Sequence, residues 1–177
     1  MESSKDKTIV ALIYDFDKTL CDKDMQEYSF IPSLGLSSEE FWEETDKVTE
    51  KNHMDKVLSY MYMMIHMSNK KEKSIKREDF VKLGKDINLY PGVKDWFTRI
   101  NEYGESIGIT VEHYIISSGL KEIIEGTEIA KYFKEIYACE FLYDHNGIAV
   151  WPAMSVNYTT KTQFLSRINK GVLDISD

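Results

Sequence analysis

Asp15 and Asp17, separated by one residue, stand at the end of an apolar, β-branched run, TIVALIYDFD over residues 8–17. A continuous run of this kind predicts a buried parallel strand covered on both faces. Burying two carboxylates side by side is unfavourable unless a cation or donor compensates. The carboxyl ends of strands are also where α/β sheets hold ligands. The pair therefore points to a site for Mg²⁺, which prefers oxygen ligands and often shares them with a phosphate. A plain Asx turn accounts for the same spacing. Ser117 closes a second apolar run, YIISSG, where its hydroxyl and the amides of Ser118 and Gly119 suit a phosphate near a helix start. A helix N-cap explains that serine equally well. Lys161, in NYTTKTQFL, opens a helix whose dipole favours anions at that end. A shared anion would give that lysine a reason; a simple exposed lysine is the plainer reading.

The elements that must position these residues follow from periodicity. Strand patterns occupy residues 8–17 and 109–119, and EIYACEFLYDHNGIAVWP reads as two strands joined across Asp144–Gly147. Helical patterns occupy SSEEFWEETDKV, with Ser37 or Ser38 as cap, then MDKVLSYMYMMIHM and KREDFVKLGKDI. Another apolar stripe is formed by Val93, Trp96, Phe97, Ile100 and Tyr103, and a last helix ends at Gly171. Strands alternating with helices predict a parallel sheet with helices on its faces. Residues 22–88 are too long for a loop and read as an inserted all-helical cap, leaving 1–21 and 89–177 as the core. Met61, Met63, Met64 and Met67 read as cap core, and the basic stretch 69–77 as a solvated loop.

Composition narrows the function classes. With 22 basic and 30 acidic residues the net charge is −8, which argues against nucleic-acid binding. An apolar share of 42% over 177 residues argues for a packed core and against disorder. The run LSYMYMMIHM reaches only about half of the ~20 residues a membrane span needs. The polar opening, MESSKDK, is not a signal peptide, so a cytoplasmic protein is expected. Cys21 and Cys139 lack CxxC spacing, and His53, His66, His113 and His145 show no metal-ligand spacing.

Taken in order, Asp-x-Asp-x-Thr on the first strand, a helical insert, YPGV, a strand ending in serine and a helix-opening lysine resemble the haloacid dehalogenase (HAD) superfamily. The likeness is greatest to phosphatases of the phosphoserine-phosphatase-like group, and it covers essentially the whole chain. The resemblance implies a Rossmann-like three-layer α/β core with the helical cap inserted, and Mg²⁺-dependent hydrolysis of a small phosphorylated metabolite. Asp15 would be the nucleophile that forms an aspartyl-phosphate. Asp17 would be general acid and base, with its main-chain carbonyl joining Asp15 on the metal. Thr19 would hold the loop, Ser117 would bond the phosphoryl group, and Lys161 would offset its charge. Asp17 argues for phosphate hydrolysis over dehalogenation, because an alkoxide leaving group needs a proton and a halide does not. Asp24 and Glu27 would face the substrate from the start of the cap; Asp24 stands where that group places an acid for an amino group.

The family's fourth motif, an apolar strand ending in acids that complete the metal site, has no match here. Asp174 and Asp177 follow no strand and are rejected as those acids. A fragment of low activity, or a natural short form that binds without turnover, follows from this, and retention of Asp15, Asp17, Ser117 and Lys161 favours the fragment. A non-catalytic phosphoryl- or partner-binding domain is the alternative function, and the insert argues against a receiver-like signalling domain. The family's sheet order would also leave the first strand with an unpaired edge, which invites a dimer.

Overall fold

A computed structural model describes residues 8–176, so the polar opening stretch and Asp177 lie outside the described residues. The strands are β1 (Thr8–Tyr14), β2 (Ile109–Leu120), β3 (Phe133–Tyr143) and β4 (Ala149–Met154). They form one sheet in the order β1-β2-β3-β4, the first three parallel and β4 antiparallel to β3. Between β1 and β2 come α1 (Phe30–Ser33), α2 (Ser38–Asn52), α3 (Lys56–Lys70), α4 (Arg77–Leu83) and α5 (Val93–Ser106). After β2 comes α6 (Lys121–Glu125), and α7 (Tyr158–Lys170) follows β4.

Local chemistry sets the helix ends. Ser37 and Glu40 form a reciprocal capping box at the start of α2. Asp55 accepts from the Val57 and Leu58 amides to start α3 as a separate helix, after His53 has closed α2 in the left-handed region. Asn157 caps α7, and Gly171 ends it at φ 70°. Alternation along the strands divides the two faces of the sheet. Tyr14 and His113 pack on Phe97 of α5. Ile13 and Tyr114 turn to the other face, beside Ile168 of α7. Helices thus cover both sides of a mostly parallel α/β sheet, in agreement with the fold class expected.

The first strand corrects one expectation. It is not buried on both faces: Thr8–Ala11 are exposed, Ile9 to 58%, and among the described residues its only neighbour is β2. A strand at a sheet edge has one ladder, and α5 and α7 lie over the inner strands, so an apolar run remains in solvent. Residues 22–88 are helical throughout their regular elements but are not a detached body. Met61, Met63, Met64 and Phe80 join the same buried cluster as the sheet residues Ile115, Ala138 and Phe141. At the contact of α4 with α6, a Cβ on Gly84 would lie 2.3 Å from the Ile123 carbonyl oxygen, so only glycine permits that approach.

Candidate active site

Register brings the chemistry-bearing residues together. Tyr14 pairs with Ile115, so Asp15 leaves β1 level with the stretch of β2 that leads to Ser117. The chain then turns sharply: the Thr19 and Leu20 amides both donate to the Phe16 carbonyl, and Lys18 takes a positive φ of 58°. A long side chain in the left-handed region is uncommon and is held there only by its surroundings. Here the anchor is a Lys18–Asp24 ion pair at 2.6 Å.

Asp15 and Asp17 meet different environments. Asp15 is half-exposed and its Oδ2 lies 2.7 Å from Lys161 Nζ. An exposed pair of this kind stabilises by at most about 1 kcal/mol, and a lysine in a first helical turn costs roughly 0.3–1 kcal/mol against the dipole. The two effects nearly cancel, so folding stability gives no reason for this arrangement. Asp17 is largely buried, and its Oδ1 accepts the Met25 amide at 2.9 Å. Burial, then the nearby Asp24 and Asp15 charges, push its pKa up to about 7 against the pull of the Met25 bond. Two carboxylates separated by one residue thus meet different surroundings: one accessible and paired with a lysine, the other largely buried with its pKa raised to about 7.

A cleft of about 500 Å³ opens over them, lined by Asp15, Asp17, Lys18, Asp24, Glu27 and Ser118. From the helical insert, Gln26, Trp42, Lys56, Val57 and Tyr60 close its far side. Ser117 and Gly119 lie behind the wall. Ser117 is fully buried and its Oγ accepts the Gly119 amide at 3.0 Å, so that amide is already used. A Cβ on Gly119 would lie 2.8 Å from Asp17 Oδ2 and closer still to Met25 Cε, which explains a glycine there. Thr19 is exposed, and no hydrogen bond of its hydroxyl occurs among the described residues. Asp24 is held by Lys18, and Glu27 accepts from Trp42 Nε1 at 2.7 Å.

Sequence reading did not single out Lys18, Trp42, Lys56 or Tyr60 for the site. Lys18 stood inside the DFDKTL motif and was readable there. The other three come from α2 and α3, where aromatic residues at helical spacing look like any core stripe. No group of three or more His, Cys, Asp or Glu suited to a metal occurs among the described residues. Asp174 lies beyond the far end of α7, whose 13 residues span about 20 Å at 1.5 Å per residue. Cys21 and Cys139 are free and buried, with thiols pushed up to about 11 by burial, so neither is a reactive thiolate. No helix among the described residues is long and apolar enough to cross a membrane.

No family model matches the chain. An uncharacterized protein of Borreliella burgdorferi is 28% identical over 189 residues, covering 93% of this chain and 66% of that protein. A HAD family hydrolase from Salmonella enterica serovar Typhi superposes with a TM-score of 0.65 at 16% identity, covering 95% of this chain and 54% of the other. A phosphoserine phosphohydrolase-like protein from Francisella tularensis gives 0.58 at 19% identity, with 95% and 74% covered. A phosphoserine phosphatase solved as a phospho-aspartyl intermediate analogue gives 0.62 at 16% identity, with 93% and 72% covered. The chain thus spans about two thirds of the curated relative and about half of the first of these structures. At these identities the likeness is one of fold.

Proposed function

The chain has the fold of haloacid dehalogenase-type phosphatases, and on that premise we propose that it is built for phosphomonoester hydrolysis through an aspartyl-phosphate. The observation that carries this reading is the convergence on one cleft of accessible Asp15, paired with Lys161 at 2.7 Å, and largely buried Asp17, held by the Met25 amide at 2.9 Å. Fold alone would not license it.

Asp15 Oδ attacks phosphorus, forming the O–P bond as the ester O–P bond breaks. Asp17, protonated near pH 7, gives its proton to the leaving oxygen and afterwards takes one from the water that hydrolyses the acyl phosphate. Lys161 offsets the charge that accumulates on Asp15 and the phosphoryl oxygens. The Ser117 hydroxyl, whose oxygen already accepts from Gly119, has its hydrogen free to donate towards the phosphoryl group. The helical insert covers the cleft, so a small phosphorylated metabolite is the substrate class, with Asp24 and Glu27 on its path. Mg²⁺ would be held by the Asp15 carboxylate and the Asp17 carbonyl, and would neutralise phosphate charge against the nucleophile. Those two donors would leave most of an octahedral Mg²⁺ shell to water, phosphate or further ligands.

The incomplete donor set also favours a second reading, in which this stretch binds phosphoryl groups without turning them over and activity needs a longer chain. Hydrolysis of p-nitrophenyl phosphate with and without Mg²⁺ separates the two. Slow turnover that Asp15→Asn abolishes supports the hydrolase. Orthovanadate binding with no turnover supports the binding domain. Full activity in the 177-residue chain would contradict the need for further acids.

A further inference from the structure

One strong hydrogen bond ties α3 of the helical insert to the Ser117–Gly119 stretch at the end of β2. Tyr60 of α3 donates its phenol to the Ser118 carbonyl at 2.6 Å, and that side chain is buried. Burial holds the phenol well above its usual pKa, so it stays protonated and remains a donor. We propose that Tyr60 is a positioning residue, which sets the Ser118–Gly119 peptide and, through the Gly119 amide, fixes the Ser117 hydroxyl just behind the cleft wall that Ser118 lines. This inference rests on the phosphatase reading of the site.

The peptide is held at both ends. Its carbonyl accepts from Tyr60 and its N–H donates to Ser117 Oγ at 3.0 Å. Rotating the peptide would break both bonds, and it would take away the contact that occupies a lone pair of Ser117 Oγ. With that lone pair engaged, the hydroxyl proton is left for a phosphoryl oxygen. The Cys139 thiol also approaches the Ser118 carbonyl, at 3.3 Å, but a thiol is a weak donor and cannot replace a phenol. Tyr60 is itself steadied from the insert side: Trp42 meets it edge-on with ring centroids 6.2 Å apart, and Trp42 Nε1 is tied to Glu27. The wall facing the substrate and the loop facing the phosphoryl group are therefore one connected structure.

Tyr60→Phe deletes the hydroxyl and keeps the ring. Misplacement of a catalytic donor by a fraction of an ångström to 1 Å predicts a loss in kcat of about 10- to 100-fold, with KM for p-nitrophenyl phosphate changed less than about twofold. Orthovanadate affinity, read by intrinsic fluorescence in the same chains, should fall about tenfold or more in Tyr60→Phe. Unchanged kcat and unchanged vanadate affinity in a folded Tyr60→Phe chain would overturn the proposal, even if its melting temperature dropped. A wild-type chain that hydrolyses nothing, yet binds vanadate in a Tyr60-dependent way, would sink the phosphatase reading and keep the positioning role. A wild-type chain that binds no vanadate would overturn both.

Discussion

Asp17 is the residue where burial and chemistry are most tightly joined. Its native pKa of about 7 lies above the ordinary aspartate value of 3.8. The folded chain therefore binds more protons than the unfolded one between about pH 4 and pH 7, and Asp17's contribution to stability declines as pH rises through that window. Asp17→Asn should thus be more stable than the wild type at pH 8 by roughly 1–4 kcal/mol, with the difference gone near pH 4. Urea unfolding with EDTA present at the two pH values measures it. Gly119→Ala should act on the same contact from the other side. The added methyl has to displace Met25 and Asp17, at a cost of about 1–3 kcal/mol. The identities of Asp15 and Asp17 could be read from the sequence because one motif carries both, and the resemblance implied a different task for each. The surroundings that separate them could not be read, because Met25, Asp24 and Lys161 come near only in the fold.

At the scale of elements, local signals were legible and neighbour relations were not. The Ser37 cap, the Asp144–Gly147 hairpin and the Gly171 terminus each depend on a few adjacent residues, and the helices and strands appear where those residues place them. The strand TIVALIY carries an apolar composition that suits a doubly covered strand equally well as an edge. Its exposure depends on how many strands lie beside it, which a local pattern does not encode. His113 is similar: it showed no ligand spacing, yet it joins β2 to β1 and α5. Its Nδ1 meets the Tyr14 hydroxyl at 2.9 Å and its Nε2 meets Asn101 Oδ1 at 2.8 Å, while Trp96 Nε1 donates to Tyr14. Asn101 Oδ1 can only accept, so Nε2 carries the proton and Nδ1 accepts from Tyr14. Burial lowers the imidazole pKa from 6.5. Stability from this group is complete above pH 6.5 and is lost as pH falls below it, where the unfolded chain takes up a proton first. Asp17 acts in the opposite sense over the same range, so the comparison is between chains: the stability of the wild type relative to His113→Gln should fall as pH drops from 7.5 to 5.5 in urea unfolding.

For the whole molecule, the edge of β1, unpaired among the described residues, is the feature with the widest consequence. We propose that it pairs with a second copy of the chain. The strand holds no charged residue, so two chains of net charge −8 meet there without direct repulsion. Antiparallel pairing centred on Ala11 sets Ile9 against Ile13 and Val10 against Leu12, apolar against apolar. Sedimentation at micromolar concentration should show a dimer, and Val10→Lys should return it to a monomer; a wild-type monomer at those concentrations would rule the contact out. The most direct test of the site concerns Asp15. The chain is mixed with excess p-nitrophenyl phosphate and Mg²⁺, quenched in acid within one turnover, and digested for mapping by mass spectrometry. The expected result is a phosphoryl group on Asp15, discharged by hydroxylamine and absent from Asp15→Asn. Turnover with no adduct on Asp15, or an adduct that survives Asp15→Asn, would contradict the aspartyl-phosphate route.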